Sequence, residues 1–154
     1  MTSASHLFFR PAKAGDLGAV EALERDCFSV DAQSRRSLSH LIGQANADVL
    51  LAESIEGLRG SVIVLYRRGA LVARVYSIAV AARARGQGVG TALLGAAQDV
   101  AVGRGCRTLR AEARVSNTGS LALFERAGYR RGASLPAYYP DGEDGVRLEK
   151  PLPE

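Results

Sequence analysis

The chain has no tryptophan, aromatic residues make up only 6% of it, and its 154 residues hold just two cysteines, two histidines and two lysines. So little aromatic surface leaves aliphatic side chains and alanine to fill a core. The hydrophobic content of 47% over this length is enough for one compact domain spanning residues 1–154. Cys27 and Cys106 are too few for a disulfide scaffold and have no metal-type neighbours, so both read as small core residues. His6 and His40 stand alone, and no cluster has the spacing of metal ligands. No apolar run approaches the length of a membrane span, and the start of the chain lacks the charged-then-apolar pattern of a secretory signal. No basic stripe interleaves with aromatics, which disfavours a nucleic-acid module. Together these absences predict a soluble protein in a reducing, cytoplasmic setting, with no metal, membrane or nucleic acid.

What the chain does have is arginine. Of its 20 basic residues 18 are arginine, against 16 acidic residues, for a net charge of +4. The planar guanidinium fork suits phosphate recognition. A GC-rich coding sequence gives the same bias, and an excess this small permits acidic partners without requiring one.

The densest signal lies at Ser77–Leu94, which reads as a strand, a short basic turn, a glycine-rich loop and the start of an amphipathic helix. Gly86, Gly88 and Gly90 leave successive backbone N–H groups uncovered where that helix begins. A helix N-terminus carries unpaired donors and a partial positive charge, so it can hold a phosphate or diphosphate. Arg83 and Arg85 stand beside it.

The rest of the chain reads as alternating elements without repeats or linkers. A strand at Leu7–Arg10 is stopped by Pro11, and Asp16 is placed to cap a helix running to Cys27. A short helix follows from Ser34 to Gly43, then strands at Asp48–Glu53, Leu58–Tyr66 and Leu71–Val80. The loop helix runs from Gly88 to Arg104 with Leu93, Leu94, Ala97, Val100 and Ala101 as its buried stripe. A strand at Thr108–Ala113 alternates Leu109, Ala111 and Ala113 with Arg110, Glu112 and Arg114. Asn117 caps a helix closed by Gly128; strands from Tyr129 and over Gly145–Leu152 flank a turn-rich loop at residues 136–142. The order β-α-α-β-β-β-α-β-α-β-β predicts an α/β (mixed α+β) fold, a mixed sheet with helices on its faces.

Three readings of the glycine loop carry a ligand. A Walker-type loop ends in Gly-Lys-Ser/Thr, but Gly90 is followed directly by Thr91. A dinucleotide fingerprint needs a different glycine spacing near the chain start, and three strands come before this loop. The third is by resemblance. Arg85-Gly86-Gln87-Gly88-Val89-Gly90 resembles the R/Q-x-x-G-x-G/A signature of the GNAT acetyltransferases, and Val75–Val80 is similar to that family's central strand. Asn117–Tyr129, NTGSLALFERAGY, resembles the family's N-x-x-A-x-x-L-Y-E-x-x-G-F motif. Within the family the likeness is to bacterial ribosomal-protein alanine N-acetyltransferases, carried by Ile78-Ala79-Val80, by Glu112 in a strand ending AEARVSN, and by Tyr138-Tyr139-Pro140. A tight turn into a helix, with no ligand, is the reading left if the likeness misleads.

The resemblance implies a central, mostly antiparallel sheet of about seven strands flanked by about four helices. It implies acetyl-coenzyme A as cosubstrate, its diphosphate on the amides of Arg85, Gly86, Gln87, Gly88, Val89, Gly90 and Thr91. It sets the pantetheine arm along Ile78, Ala79 and Val80, with an amide of Ile78 or Ala79 facing the reacting carbonyl oxygen. It also implies cofactor contacts from Asn117 and Phe124. Glu112 matches the family's general base, acting through a water; the alternative is a solvent-facing strand glutamate paired with Arg110 or Arg114. Asn117 reads equally as a helix cap. The family's proton donor is a tyrosine where this chain has Phe124, which leaves Tyr138, Tyr139, Tyr129 or water to protonate the leaving thiolate. Tyr138 and Tyr139 also resemble residues that line an acceptor groove, and Asp141, Glu143 and Asp144 read either as an amine trap or as a solvated turn. The expected acceptor is a protein or peptide N-terminus. The alternatives are a small amine, or no acceptor at all in a non-catalytic acetyl-coenzyme A sensor. Direct transfer is favoured over a covalent intermediate, because Cys106 lies away from the motifs. Monomer and homodimer are both open.

Overall fold

A computed structural model describes residues 6–154. Strand β1 (Phe8–Pro11) leads through a 3₁₀ turn at Ala14–Asp16 into helix α1 (Leu17–Cys27) and helix α2 (Arg35–Leu41). Strands β2 (Ala47–Ser54), β3 (Gly57–Tyr66) and β4 (Val72–Val80) follow, then a 3₁₀ turn at Ala82–Ala84 and helix α3 (Val89–Gly103). Strand β5 (Thr108–Arg114), helix α4 (Thr118–Arg126) and strands β6 (Arg130–Leu135) and β7 (Gly145–Pro151) complete the order, which is the one the sequence predicts. All seven strands form one sheet in the order β1-β2-β3-β4-β5-β7-β6. Only β4 and β5 run parallel; the other pairs are antiparallel.

The period-two alternation of the strands divides the core between two faces. Leu50 and Ala52 of β2 and Val62 and Val64 of β3 join Leu93 and Ala97 of α3 in one cluster. Val49, Leu51 and Ile63 point the other way, against Val20 of α1 and Leu38 of α2. Leu109, Ala111 and Ala113 of β5 are buried as expected, and fully buried leucines such as Leu93, Leu109 and Leu148 are each worth about 1.5–3 kcal/mol of burial.

Two expectations about the N-terminal region need correction. β1 ends at Pro11, but Pro11 belongs to the strand and pairs with Leu50 as its last residue. β1 is an edge strand, where a proline's missing N–H costs little. Asp16 makes no side-chain cap bond to α1. Its Oδ2 accepts from Lys13 N at 2.7 Å, and both oxygens take hydrogen bonds from Arg10, at 2.8 and 2.9 Å. That pairing holds its carboxyl down at about 2, chiefly through the Arg10 hydrogen bonds. Ser34 does cap α2, accepting from Ser37 N at 3.1 Å.

The feature that positions a site is the parting of β4 from β5. They pair over Val72–Val75 and Thr108–Ala111, then separate. β4 stays on β3 to Val80 and β5 stays on β7 to Arg114. Ile63 faces Ser77 while Val64 faces Val75, so Tyr76 is an extra residue at the point of separation. Such a bulge bends its strand and strengthens the local twist, which opens a wedge beside Tyr76–Val80.

Candidate active site

On one side of the wedge the glycine loop meets α3. Gly86 and Gly88 have φ of +76° and +81°, a region that disfavours side chains, and Gly88 is the residue immediately before α3. Among the described residues no backbone hydrogen bond of good geometry engages the amides of Gly86 to Thr91, whereas Arg85 N still donates to Ala82 O at 3.3 Å and Ala92 N to Gly88 O at 3.0 Å. Successive free donors at the positive end of a 15-residue helix fit a diphosphate. A cavity of about 680 Å³ opens in front of them. Ile78, Ala79 and Val80 line it, as do Arg85, Gly86, Gly88, Val89, Gly90, Thr91 and Asn117; of the expected set only Gln87 and Phe124 do not.

Not every side chain of the loop turns to the cavity. Gln87 faces away from the cavity, toward Arg59 and Arg83 O. Arg83 reaches back to Leu58 O at 3.1 Å, while Arg85 and Arg126 are the cations on the cavity wall. At Gly90 the pressure comes from α4, since a Cβ there would stand 3.1 Å from Leu123, so glycine lets α3 and α4 approach.

On the other side of the wedge lies a second cavity of about 430 Å³. Phe28, Ile78, Asn117 and Ser120 line both, so the two adjoin there. Glu112, Tyr138 and Tyr139 are on the wall of the second cavity. Phe124 lines this cavity rather than the first, its ring edge-on to Tyr129 with centroids 5.0 Å apart. Tyr129 is buried in the core, its hydroxyl has no hydrogen-bond partner among the described residues, and burial pushes its ionisation up; it lines neither cavity. Asn117 does cap α4, accepting from Ser120 N at 3.1 Å, and still lines both cavities.

Glu112 is not the solvent-facing residue of the alternative reading. Its side chain is 5% exposed, and its partners are Arg74 Nε at 2.6 Å and Arg147 Nε at 3.7 Å. Arg110 pairs instead with Glu149 at 2.8 Å. Arg74 also donates from Nη2 to the Tyr138 hydroxyl at 3.2 Å, which joins Glu112, Arg74 and Tyr138 in one chain.

Arg114, one residue beyond Ala113, gathers the loops around this cavity. It holds Asp31 through Nε and Nη2 at 2.7 and 2.9 Å, and Asp141 and Glu143 through Nη1, each at 2.8 Å. Its guanidinium lies 4.3 Å from the centre of the Tyr139 ring. Two of the three acidic loop residues are therefore committed to an arginine; the third, Asp144, accepts from Ala137 N at 2.8 Å. That bond supports Ala137 at φ +49°, a left-handed conformation that costs a non-glycine residue about 1–2 kcal/mol. Burial pushes the Tyr139 hydroxyl up to about 12, so it keeps its proton at neutral pH.

The segment between α1 and α2, which carries no readable motif, turns out to close the second cavity with Phe28, Val30, Asp31 and Gln33. Fully buried Glu24 anchors it, accepting from Gln33 N at 2.9 Å and from Ser77 Oγ on β4. The one available signal was a glutamate on the apolar side of α1, where a charge is costly without partners.

Residues 17–129 match the model of the acetyltransferase (GNAT) family. An uncharacterized N-acetyltransferase of Methanocaldococcus jannaschii is 31% identical over 151 residues, covering 96% of this chain and 93% of that protein. The [ribosomal protein bS18]-alanine N-acetyltransferase of Escherichia coli is 37% identical over 83 residues, covering 52% of this chain and 56% of that one. The crystal structure of the Escherichia coli ribosomal-protein-S18-alanine N-acetyltransferase superposes with a TM-score of 0.84 at 24% identity, over 96% of this chain and 95% of the other, a likeness of fold. The chain belongs to the GNAT family of acetyltransferases: it is an acyltransferase with that family's mixed α/β fold. Family members take acetyl-coenzyme A as acetyl donor, and no helix among the described residues is long and apolar enough to cross a membrane.

Proposed function

We propose that this acyltransferase moves the acetyl group of acetyl-coenzyme A onto the α-amino group of a protein or peptide N-terminus, as a cytoplasmic enzyme acting over the whole of residues 1–154. The observation that carries the reading is the meeting of two cavities at Ile78 and Asn117. Free helix N-terminal amides stand on one side, with Glu112, Tyr138 and Tyr139 on the other. The donor brings an activated thioester carbonyl; everything else is done by this chain. The amides from Gly86 to Thr91 hold the diphosphate, and the open edge of Ile78–Val80 takes the pantetheine arm as an added strand. Phe124 lines the acceptor-side cavity.

On the acceptor side Glu112 takes a proton from the incoming ammonium through a water. An α-amino group near pKa ~8 gives up that proton readily at neutral pH, while a lysine near ~10.4 costs on the order of 3 kcal/mol more. The hydroxyl of Tyr138 accepts from Arg74, which leaves its own proton free to go to the departing thiolate. The commitment of Asp31, Asp141 and Glu143 to Arg114 argues against a polyamine, which needs carboxylates free to receive it. The bS18 alanine acetyltransferase among the relatives supports an N-terminal acceptor.

The test is thiol release from acetyl-coenzyme A with a panel of peptides differing in their first two residues, alongside a panel of small amines, with the acetyl group located by mass spectrometry. Acetylation of peptide α-amines supports the reading. Activity confined to small amines overturns the choice of acceptor, and tight binding of coenzyme A without turnover on either panel counts against both acceptor classes tested.

A further inference from the structure

Arg59 on β3 is 2% exposed, yet its Nε and Nη1 have no hydrogen-bond partner among the described residues. Its Nη2 reaches Gln87 Oε1 at 3.5 Å, and Gln87 Nε2 donates onward to Arg83 O at 3.4 Å. Its carbonyl accepts from Ala81 N at 2.8 Å, so its backbone is tied to the stretch where β4 gives way to the glycine loop. Burying a guanidinium with two nitrogens unsatisfied is unfavourable, and an apolar side chain of similar length would serve the fold better. The residue nevertheless lies behind the loop, against the side chain that turns away from the cavity.

We propose that Arg59 is a positioning residue of the cofactor site. It braces Gln87 and places a buried positive charge behind the amides of Gly86 to Thr91, where a bound diphosphate supplies the missing counter-charge. The ligand-free protein carries the cost, and the bound state recovers it. This inference rests on the acetyl-coenzyme A reading above.

The substitution that separates the possibilities is Arg59→Met, which keeps length and removes charge. Calorimetric titration with coenzyme A and with dephospho-coenzyme A is run on wild type and variant, beside thermal unfolding of each without ligand. We expect the ligand-free variant to melt about 2–4 °C higher, while its Kd for both ligands rises about tenfold. Equal loss for both ligands assigns the effect to the diphosphate they share. An unchanged Kd in folded Arg59→Met overturns the proposal, as does a loss seen with coenzyme A alone or one accompanied by a lower melting temperature. Should Arg59→Met not fold, Arg59→Lys and Arg59→Gln decide. Lysine holding Kd within about threefold while glutamine loses it supports a charge, and equal affinities overturn it. If wild type itself binds neither ligand, the cofactor reading fails, and that result differs from every outcome above.

Discussion

Arg74 Nε donates to Glu112 Oε1 at 2.6 Å, although the register of the parallel pair sets Arg74 opposite Arg110. Glu112 lies two residues further along β5, where the strands have begun to part, and Arg74 leans across the opening to reach it. The carboxylate best placed to accept a proton is thereby held in one orientation, with Arg147 behind it. Glu112→Gln keeps the shape and the contact with Arg74 but removes the base. We expect turnover at pH 7 to fall at least about tenfold with coenzyme A affinity unchanged. Steady-state rates beside calorimetric binding check this, and unchanged turnover removes Glu112 from the mechanism.

The other end of the Arg74 chain is Tyr138. Tyr138→Phe removes the proton offered to the leaving thiolate, and a drop of about tenfold in the single-turnover rate is expected. Tyr139→Phe keeps the ring against Arg114 and should leave that rate unaltered. If Tyr138→Phe also matches wild type, water is the donor, since a thiolate of pKa near ~8.5 needs little help to leave.

Arg114 ties the α1–α2 segment to the loop between β6 and β7 through Asp31, Asp141 and Glu143. Arg114→Met leaves three carboxylates without their cation and releases both walls of the acceptor cavity. The expected result is a fall of about tenfold or more in kcat/KM for the acceptor, with the Kd for coenzyme A intact. A parallel loss in coenzyme A binding would place the role of Arg114 in general folding.

Asp16 supplies the pH prediction. Its carboxyl is lowered to about 2 in the folded chain by Arg10, below the ordinary value of ~3.9. Its contribution is therefore present in full above about pH 4 and disappears as the pH falls toward 2. Asp16→Asn should lower the melting temperature at pH 7, and the gap to wild type should close on acidification through that window. A gap independent of pH would mean that the Arg10 pair contributes nothing to stability.

Much of this was legible because it is local. The spacing of Gly86, Gly88 and Gly90, the buried stripe of α3, the alternation along β5 and the Asn117 cap each depend on neighbours within a turn or a strand. What stayed hidden depends on partners far along the chain. Asp16 looked like a helix cap because nothing in its own turn reveals Arg10 reaching over to it. Arg110 and Arg114 were the natural partners of Glu112 by strand alternation, but the bulge at Tyr76 opens the wedge and brings Arg74 there instead. Phe124 and Gln87 lie on the expected elements yet face other neighbours, since a motif fixes the backbone path and packing fixes the side chains. The segment from Phe28 to Gln33 has no pattern of its own, because Glu24 and Ser77 hold it from outside.

The most direct measurement is titration of the ligand-free protein with coenzyme A, repeated on Gly88→Ala, whose Cβ the φ of +81° disfavours. Saturable one-site binding by wild type, weakened about tenfold or more in the folded variant, is the predicted result. Absence of any heat up to millimolar coenzyme A, or equal affinities for the two proteins, would contradict a diphosphate held on these amides.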